Sequence, residues 1–259
     1  MERKETKIVL SDFPEVFHPL LEDCPVFDSS CSPQARVWYL PREGGLYLKS
    51  AAGGSLRREA AMTAFLHGKG MAAEVLAYES GEKDWLLTRA VPGEDCTFGR
   101  YLENPGRLSE ILGERLRFLH ELPTEGCPIT DHTARYLQTA EENRSKGLFD
   151  PFYYPGGDIT AEKAWEIVRE TAPQLKSDVI LHGDYCLPNV MLDDWQFSGF
   201  IDLDHGGIGD RHIDLYWGCW SLGFNLKTDR FRDRFLDAYG REKINEALLA
   251  AVGAFEVFG

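Results

Sequence analysis

Basic residues are scarce in this chain: 28 Lys and Arg stand against 42 Asp and Glu, a formal net charge of −14 over 259 residues. A nucleic-acid backbone or an anionic membrane wants clustered Lys and Arg, so this balance argues against both and fits a cationic partner. Long apolar runs are also missing. The chain opens Met1-Glu-Arg-Lys-Glu-Thr-Lys7 without a signal-type stretch, and no window approaches a membrane span, so a cytoplasmic protein is expected. Six cysteines, at 24, 31, 96, 127, 186 and 219, include no C-x-x-C spacing. Neither a zinc site nor a disulfide framework is indicated, and they read as reduced packing residues.

What is present is an ordinary apolar content of 43%, enough for one large domain or two closely packed lobes. Short β-prone runs, Ala35 to Leu40 and Leu46 to Lys49, flank the hairpin signal Pro41-Arg-Glu-Gly44-Gly45. Lys49 sits inside an apolar strand, where a cation needs a partner or a ligand; it also reads as a strand-edge lysine that reaches solvent. A helical pattern follows around Leu56, Glu59, Ala60 and Ala64, then a strand at Trp85 to Thr88. Beyond Glu94 the pattern turns helical. Leu108, Ile111, Leu112, Leu116, Leu119 and Leu122 form a 3.6-residue stripe, in which His120 reads as a packing residue. Further helices are expected through Tyr136 and Ala140, over Ala161 to Thr171 with Thr160 as cap, over His212 to Leu222, Phe231 to Tyr239 and Glu242 to Phe258.

The densest chemistry lies between Asp178 and Asp214, where eight Asp face a single Arg or Lys, Arg211. The apolar run Val179-Ile-Leu181 delivers His182-Gly183-Asp184, and Asn189 follows five residues later. A hairpin through Asp193-Asp194 then returns the strand Gly199-Phe-Ile, which ends at Asp202. His-Gly-Asp alone is common in turns, and an Asp-rich hairpin is usually a solvated corner. Their joint spacing matches the kinase pattern H-x-D-x-x-x-x-N followed by a metal Asp. Phosphoryl transfer is mostly positioning and charge stabilisation around nucleotide-bound magnesium. Asp184 would accept or orient the acceptor hydroxyl proton, while Asn189 and Asp202 would supply hard oxygen ligands to Mg2+. Gly183 replaces an arginine common in protein kinases, Asp202-Leu203-Asp204 stands where those enzymes have Asp-Phe-Gly, and no Ala-Pro-Glu follows. Too few residues separate Asp202 from the next helical pattern to hold a peptide, so a small-molecule substrate fits better.

The runs His182 to Asn189, Gly199 to Asp202 and Gly207-Ile-Gly-Asp210-Arg211-His-Ile-Asp214-Leu215 resemble the aminoglycoside phosphotransferases, most closely the 3′-phosphotransferase branch. The resemblance implies an α+β, two-lobed protein-kinase-like fold: a small antiparallel sheet lobe, residues 1–92, and a larger mainly helical lobe, residues 93–259, with a hinge at 89–93. It implies transfer of the ATP γ-phosphate to a hydroxyl of an aminoglycoside, the 3′-hydroxyl for this branch, conferring antibiotic resistance. It makes Lys49 the lysine on the nucleotide phosphates and Glu59 its ion-pair partner. Tyr47 resembles the aromatic that stacks on adenine, the Ser32-Pro33 turn the nucleotide-positioning loop, and Ala90-Val91 the backbone that meets the adenine edge. Each also has a plain reading, as a core tyrosine, a surface turn and a chain exit from a sheet.

For the polycationic acceptor, Glu256 in the terminal Glu-Val-Phe-Gly matches the family's C-terminal Glu-x-Phe, and Glu141, Glu142 and Asp158 are further ammonium contacts in the middle insertion. Two departures weaken the substrate reading. Asp204-His205 stands where the 3′ branch has Gly-Arg, and Gly259 extends past the final Phe. The alternative is a kinase of the same fold acting on choline, a sugar, homoserine or a macrolide; a catalytically dead binding protein is a third reading. A monomer or weak homodimer is expected.

Overall fold

In the computed structural model residues Arg3 to Gly259 are described, and the chain divides into two compact units. The first takes the described part of Met1–Asp95 together with Met191–Asp204; the second takes Cys96–Val190 and His205–Gly259.

The first unit is built on six strands: β1 (Lys4–Thr6), β2 (Val26–Asp28), β3 (Ala35–Leu40), β4 (Leu46–Ala52), β5 (Val75–Ser80) and β6 (Lys83–Arg89). They lie in the order β1-β2-β3-β4-β6-β5 with every pairing antiparallel. The β3–β4 hairpin turns where the sequence predicts, through Glu43, Gly44 and Gly45 with φ of 52, 86 and 108°. Alternation along β4 decides what each face does. Leu46 and Leu48 join Phe13, Phe17, Leu21, Leu40, Trp85 and Leu87 in one core, with α1 (His18–Leu21) closing over it. Tyr47 and Lys49 point the other way. That second face receives α2 (Arg57–His67) through Leu56 and Ala60 packed against Leu86.

The entry to α2 is held by Asp84, which is fully buried in β6. Its Oδ1 accepts from the Gly54 backbone N–H at 2.8 Å and the Ser80 hydroxyl at 2.7 Å, and its Oδ2 accepts from the Leu56 N–H and the Tyr78 hydroxyl at 2.9 Å each. A buried carboxylate is tolerated only when its lone pairs are filled in this way. These bonds hold its pKa below the usual carboxylate range against the opposing effect of burial.

A second small sheet runs β10-β9-β7, from β7 (Glu94–Asp95), β9 (Val190–Asp193) and β10 (Gln196–Phe200). Asp194 and Trp195 make the β9–β10 turn with φ of 45 and 68°, the left-handed pair a tight hairpin requires. Phe200 then bridges to Ala72, its N–H donating to the Met71 carbonyl at 2.7 Å, which fixes the strand that leads into Asp202.

The second unit is mainly helical: α3 (Gly99–Leu102), α4 (Pro105–Glu121), α5 (His132–Ser145) and α6 (Ala161–Thr171) precede the strand β8 (Val179–Leu181). The antiparallel partner β11 (Gly207–Gly209) follows, then α7 (Arg211–Leu226), α8 (Arg232–Tyr239) and α9 (Glu246–Glu256). The expected leucine stripe of α4 is buried at Leu108, Leu112, Leu116 and Leu119. Thr160 caps α6 as expected, its hydroxyl accepting from the Lys163 N–H at 3.2 Å. The last helix is shorter than the span from Glu242 suggests. Asn245 ends its approach by accepting the Ala247 and Leu248 N–H groups, so α9 starts at Glu246. No helix among the described residues is long and apolar enough to cross a membrane.

Candidate active site

In the first unit, the β4 alternation brings Lys49 to the face covered by α2, and Glu59 occupies the first turn of that helix. The Lys49 ammonium lies 2.7 Å from Glu59 Oε2 and 3.0 Å from Asp202 Oδ1. Burial pulls the ammonium toward neutrality, but the Glu59 and Asp202 carboxylates override it and raise its pKa. Burial also works against the charge on Glu59 and pushes its carboxyl up to about 7, although Lys49 favours the ionised form. Asp202 has φ of 59°, a left-handed conformation that Asp tolerates better than most residues and that turns the chain sharply as it leaves β10. Its side chain remains half-exposed, at 52%.

The other nucleotide residues named from the sequence lie on this unit. The Tyr47 ring is 5.1 Å from Tyr39, and its hydroxyl accepts from the Arg3 guanidinium at 2.7 Å. Ser32 is on the exposed tip of the β2–β3 turn, whose base is tied by Asp28 accepting the Ser30 N–H and by Ser30 Oγ accepting the Val37 N–H. Ala90 donates its N–H to the Gly45 carbonyl at 2.8 Å, and the Val91 side chain lies against Gly199.

In the second unit, β8 delivers the loop 182–189. Asp184 is part-exposed, and the Asn189 side-chain amide donates to its Oδ2 at 2.8 Å and to its carbonyl at 3.0 Å. With its nitrogen committed to Asp184, the Asn189 side chain has only its oxygen to offer a ligand. The loop is anchored at Tyr185, whose hydroxyl donates to the Leu112 carbonyl, and at Leu187, whose N–H donates to Ser221 Oγ and whose carbonyl accepts from the Cys96 N–H. Burial and the neighbouring Asp184 push the Cys186 thiol far up, so it stays protonated.

Asp214, at the start of α7, explains how the loop keeps its shape. Fully buried, it accepts the His182 N–H on Oδ2 and the Gly183 N–H on Oδ1, both at 2.8 Å. Although it stands at a helix start, its bonds go to the loop backbone, so it acts as a brace for the loop. His120 Nε2 lies 3.1 Å from the same carboxylate and Nδ1 2.9 Å from the Tyr239 hydroxyl. A carboxylate can only accept, so Nε2 carries the proton and Nδ1 accepts from tyrosine. Burial keeps the imidazole neutral. Burial also works against the Asp214 charge, but bonds from His120 and Gly183 hold its pKa below the carboxylate range.

Gly183 has φ of 87°, and a Cβ there would sit 2.0 Å from the His205 carbonyl oxygen. The close approach of the chain at His205 is therefore why glycine stands where protein kinases carry arginine.

Of the residues expected from the sequence to meet the acceptor, Glu256 is buried and accepts from the Tyr136 hydroxyl. Burial pushes its carboxyl up to about 7 although Tyr136 and Trp217 favour the charge, and Asp184 adds to the rise. Glu141, Glu142 and Asp158 are exposed, with Glu142 accepting from Gln138 and lying 3.9 Å from Lys146. Sequence reasoning passed over Asp84. Its one signal is an acidic residue at the start of an apolar strand.

Among the described residues no three His, Cys, Asp or Glu gather to hold a metal by themselves. Magnesium needs no such cluster, because it takes one or two protein oxygens and completes its shell with water and nucleotide phosphate.

The family model described as "Phosphotransferase enzyme family" matches residues 31–252. A relative from Lactococcus lactis named "Probable aminoglycoside 3'-phosphotransferase" is 46% identical over 258 residues, 99% of this chain and 98% of its own. The crystal structure of an aminoglycoside-3′-phosphotransferase of type VIII superposes with a TM-score of 0.76 at 26% identity, covering 96% of this chain and 99% of that one. An aminoglycoside phosphotransferase from Streptomyces rimosus, solved in complex with ADP and streptomycin, has the same fold at a TM-score of 0.67 and 22% identity, over 96% of this chain and 99% of its own.

Proposed function

Because this chain belongs to the phosphotransferase enzyme family, we propose that it transfers the γ-phosphate of ATP to the 3′-hydroxyl of an aminoglycoside and so confers resistance to the antibiotic. The observation that carries the reading is Asp184, part-exposed, oriented by the Asn189 amide at 2.8 Å and presented by a loop hung from Asp214. A carboxylate fixed in this way orients an acceptor hydroxyl and takes its proton as the oxygen–phosphorus bond forms and ADP leaves. Lys49, kept charged by Glu59, neutralises the nucleotide phosphates. Ala90 and Val91 offer backbone groups to the adenine edge, and Tyr47 and Ser32 border the nucleotide. Asn189 and Asp202 would hold magnesium, which supplies charge neutralisation on the β- and γ-phosphates.

The names of the relatives support the acceptor class. A polycation also suits a chain of net charge −14, with Glu256 as the carboxylate nearest the acceptor and Glu141, Glu142 and Asp158 available at the surface. The enzyme works where ATP is, in the cytoplasm.

ADP release from magnesium-ATP, measured across aminoglycosides, choline, sugars and a macrolide, tests the reading, with Asp184→Ala as control. Turnover on aminoglycosides that the substitution abolishes, while ATP binding persists, is expected. Turnover only on another alcohol overturns the acceptor class and keeps the chemistry; turnover retained by Asp184→Ala removes the role given to that residue.

A further inference from the structure

Strand β1 buries nothing, yet it brings one cation onto the face of the sheet that carries Lys49. None of Lys4, Glu5 and Thr6 is buried, so the strand adds no side chain to a core. Its register assigns it another part. Glu5 pairs with Phe27, Phe27 with Tyr39, and Tyr39 with Tyr47, so all four lie on one face of the sheet. Arg3, two residues before Glu5, falls on that face as well.

There the guanidinium meets two rings. Arg3 Cζ lies over Tyr39, 3.6 Å from its centroid, and 5.7 Å from the Tyr47 centroid, while Nη2 donates to the Tyr47 hydroxyl at 2.7 Å. Tyr39 is itself fixed. A Cβ on Gly45 would sit 3.0 Å from the Tyr39 hydroxyl oxygen and 2.9 Å from the Ala90 Cβ, so this ring packs closely on the end of the β3–β4 turn. Tyr39 thus holds the guanidinium, and the guanidinium holds the hydroxyl end of Tyr47. Tyr47 stands two residues before Lys49 on the same face, about 7 Å away along the strand. That step suits a ring beneath a base whose phosphates meet the lysine.

We propose that Arg3 is a positioning residue for the nucleotide: it pins the Tyr47 ring in the orientation that stacks on the base, and so sets the affinity for ATP without touching the nucleotide. This rests on the ATP reading of the proposed function and deepens it. A part-exposed tyrosine turns between rotamers, and every orientation other than the stacking one lowers the fraction of protein ready to bind. The bond from Arg3 removes that loss. A guanidinium suits the task, because it lies on an aromatic face while its rigid fork of donors reaches a neighbour.

Calorimetric dissociation constants for magnesium-ATP, measured on the whole chain without acceptor, test the pin through a double-substitution cycle. Arg3→Ala, which removes no buried side chain, is expected to weaken ATP about fivefold, and the loss appears in the KM for ATP with kcat and the acceptor KM little changed. Arg3→Lys falls between the two. Tyr47→Phe keeps the ring and removes the hydroxyl that Arg3 holds, so adding Arg3→Ala to it costs no further affinity. An Arg3→Ala loss undiminished in the Tyr47→Phe background shows that Arg3 acts on the nucleotide directly and overturns the proposal. Unchanged ATP binding by Arg3→Ala overturns it too, and tighter binding does so by showing a strap that covers the site. Aminoglycoside turnover alongside any of these results leaves the proposed function standing. The expected cycle in a protein that turns over no aminoglycoside keeps the pin and overturns the acceptor class, and failure of the unaltered protein to bind ATP overturns both.

Discussion

Asp214 Oδ1 accepts the Gly183 backbone N–H at 2.8 Å, so a carboxylate on α7 fixes the residue immediately before Asp184. The same carboxylate takes the preceding N–H and the His120 imidazole, which makes it the common anchor of three elements.

Replacing it by asparagine tests that anchor. An amide offers one acceptor oxygen and turns an NH2 toward backbone donors. Asp214→Asn is expected to lose about 3 kcal/mol in urea unfolding and more than tenfold in kcat, with little change in the KM for ATP. His120→Gln, which can still donate to Asp214, should retain more kcat than His120→Leu.

Gly183→Ala brings both a left-handed backbone and a methyl group 2.0 Å from the His205 oxygen. The expected result is a loss of roughly 3 kcal/mol or more, seen as a lowered urea midpoint. An unchanged midpoint would show that the chain at His205 moves freely.

Lys49→Met removes the charge that Glu59 and Asp202 surround. A loss of about a hundredfold in kcat/KM for ATP is expected, with calorimetric affinity for the acceptor unchanged. Equal loss in both would argue for general unfolding of the first unit.

Glu256 provides a pH dependence. Its folded pKa, about 7, lies above its unfolded value. The group therefore adds stability when protonated, and that contribution disappears as pH rises through 7. Between pH 6 and 8 the unliganded protein should lose about 1 kcal/mol that Glu256→Gln does not lose. A bound polycation reverses the preference by favouring the carboxylate, so the acceptor KM should fall over the same range. Parallel unfolding profiles for the two proteins would refute the assignment.

Much of this was legible along the chain. His182, Asp184, Asn189 and Asp202 are separated by short, fixed spacings, and the alternation of Leu46, Tyr47, Leu48 and Lys49 already assigns the lysine to the face opposite the core. The long-range pairings were not legible. Nothing in the local sequence of Asp84 says that residues 54, 56, 78 and 80 will converge on it. The role of His120 depends on Tyr239 and Asp214, which are distant in sequence and meet only through helix packing. The short strand β7 likewise gains its meaning from β9, where Glu94 meets Leu192 and Asp95 meets Met191, residues far apart in sequence. Glu242 to Phe258 reads as one helix by periodicity, and only the side-chain bonds of Asn245 show where it begins.

The Asp84 carboxylate has a consequence for control. In many protein kinases the helix bearing the ion-pair glutamate swings in and out, and activity follows its position. Here two backbone N–H groups at the entry to that helix are tied to a buried carboxylate whose remaining contacts come from the same sheet. The helix is moored to the strand beside Lys49, so the lysine and Glu59 meet as soon as the sheet has folded. Such a protein needs no upstream signal to become competent, which suits a catalyst that must already be working when its substrate first arrives.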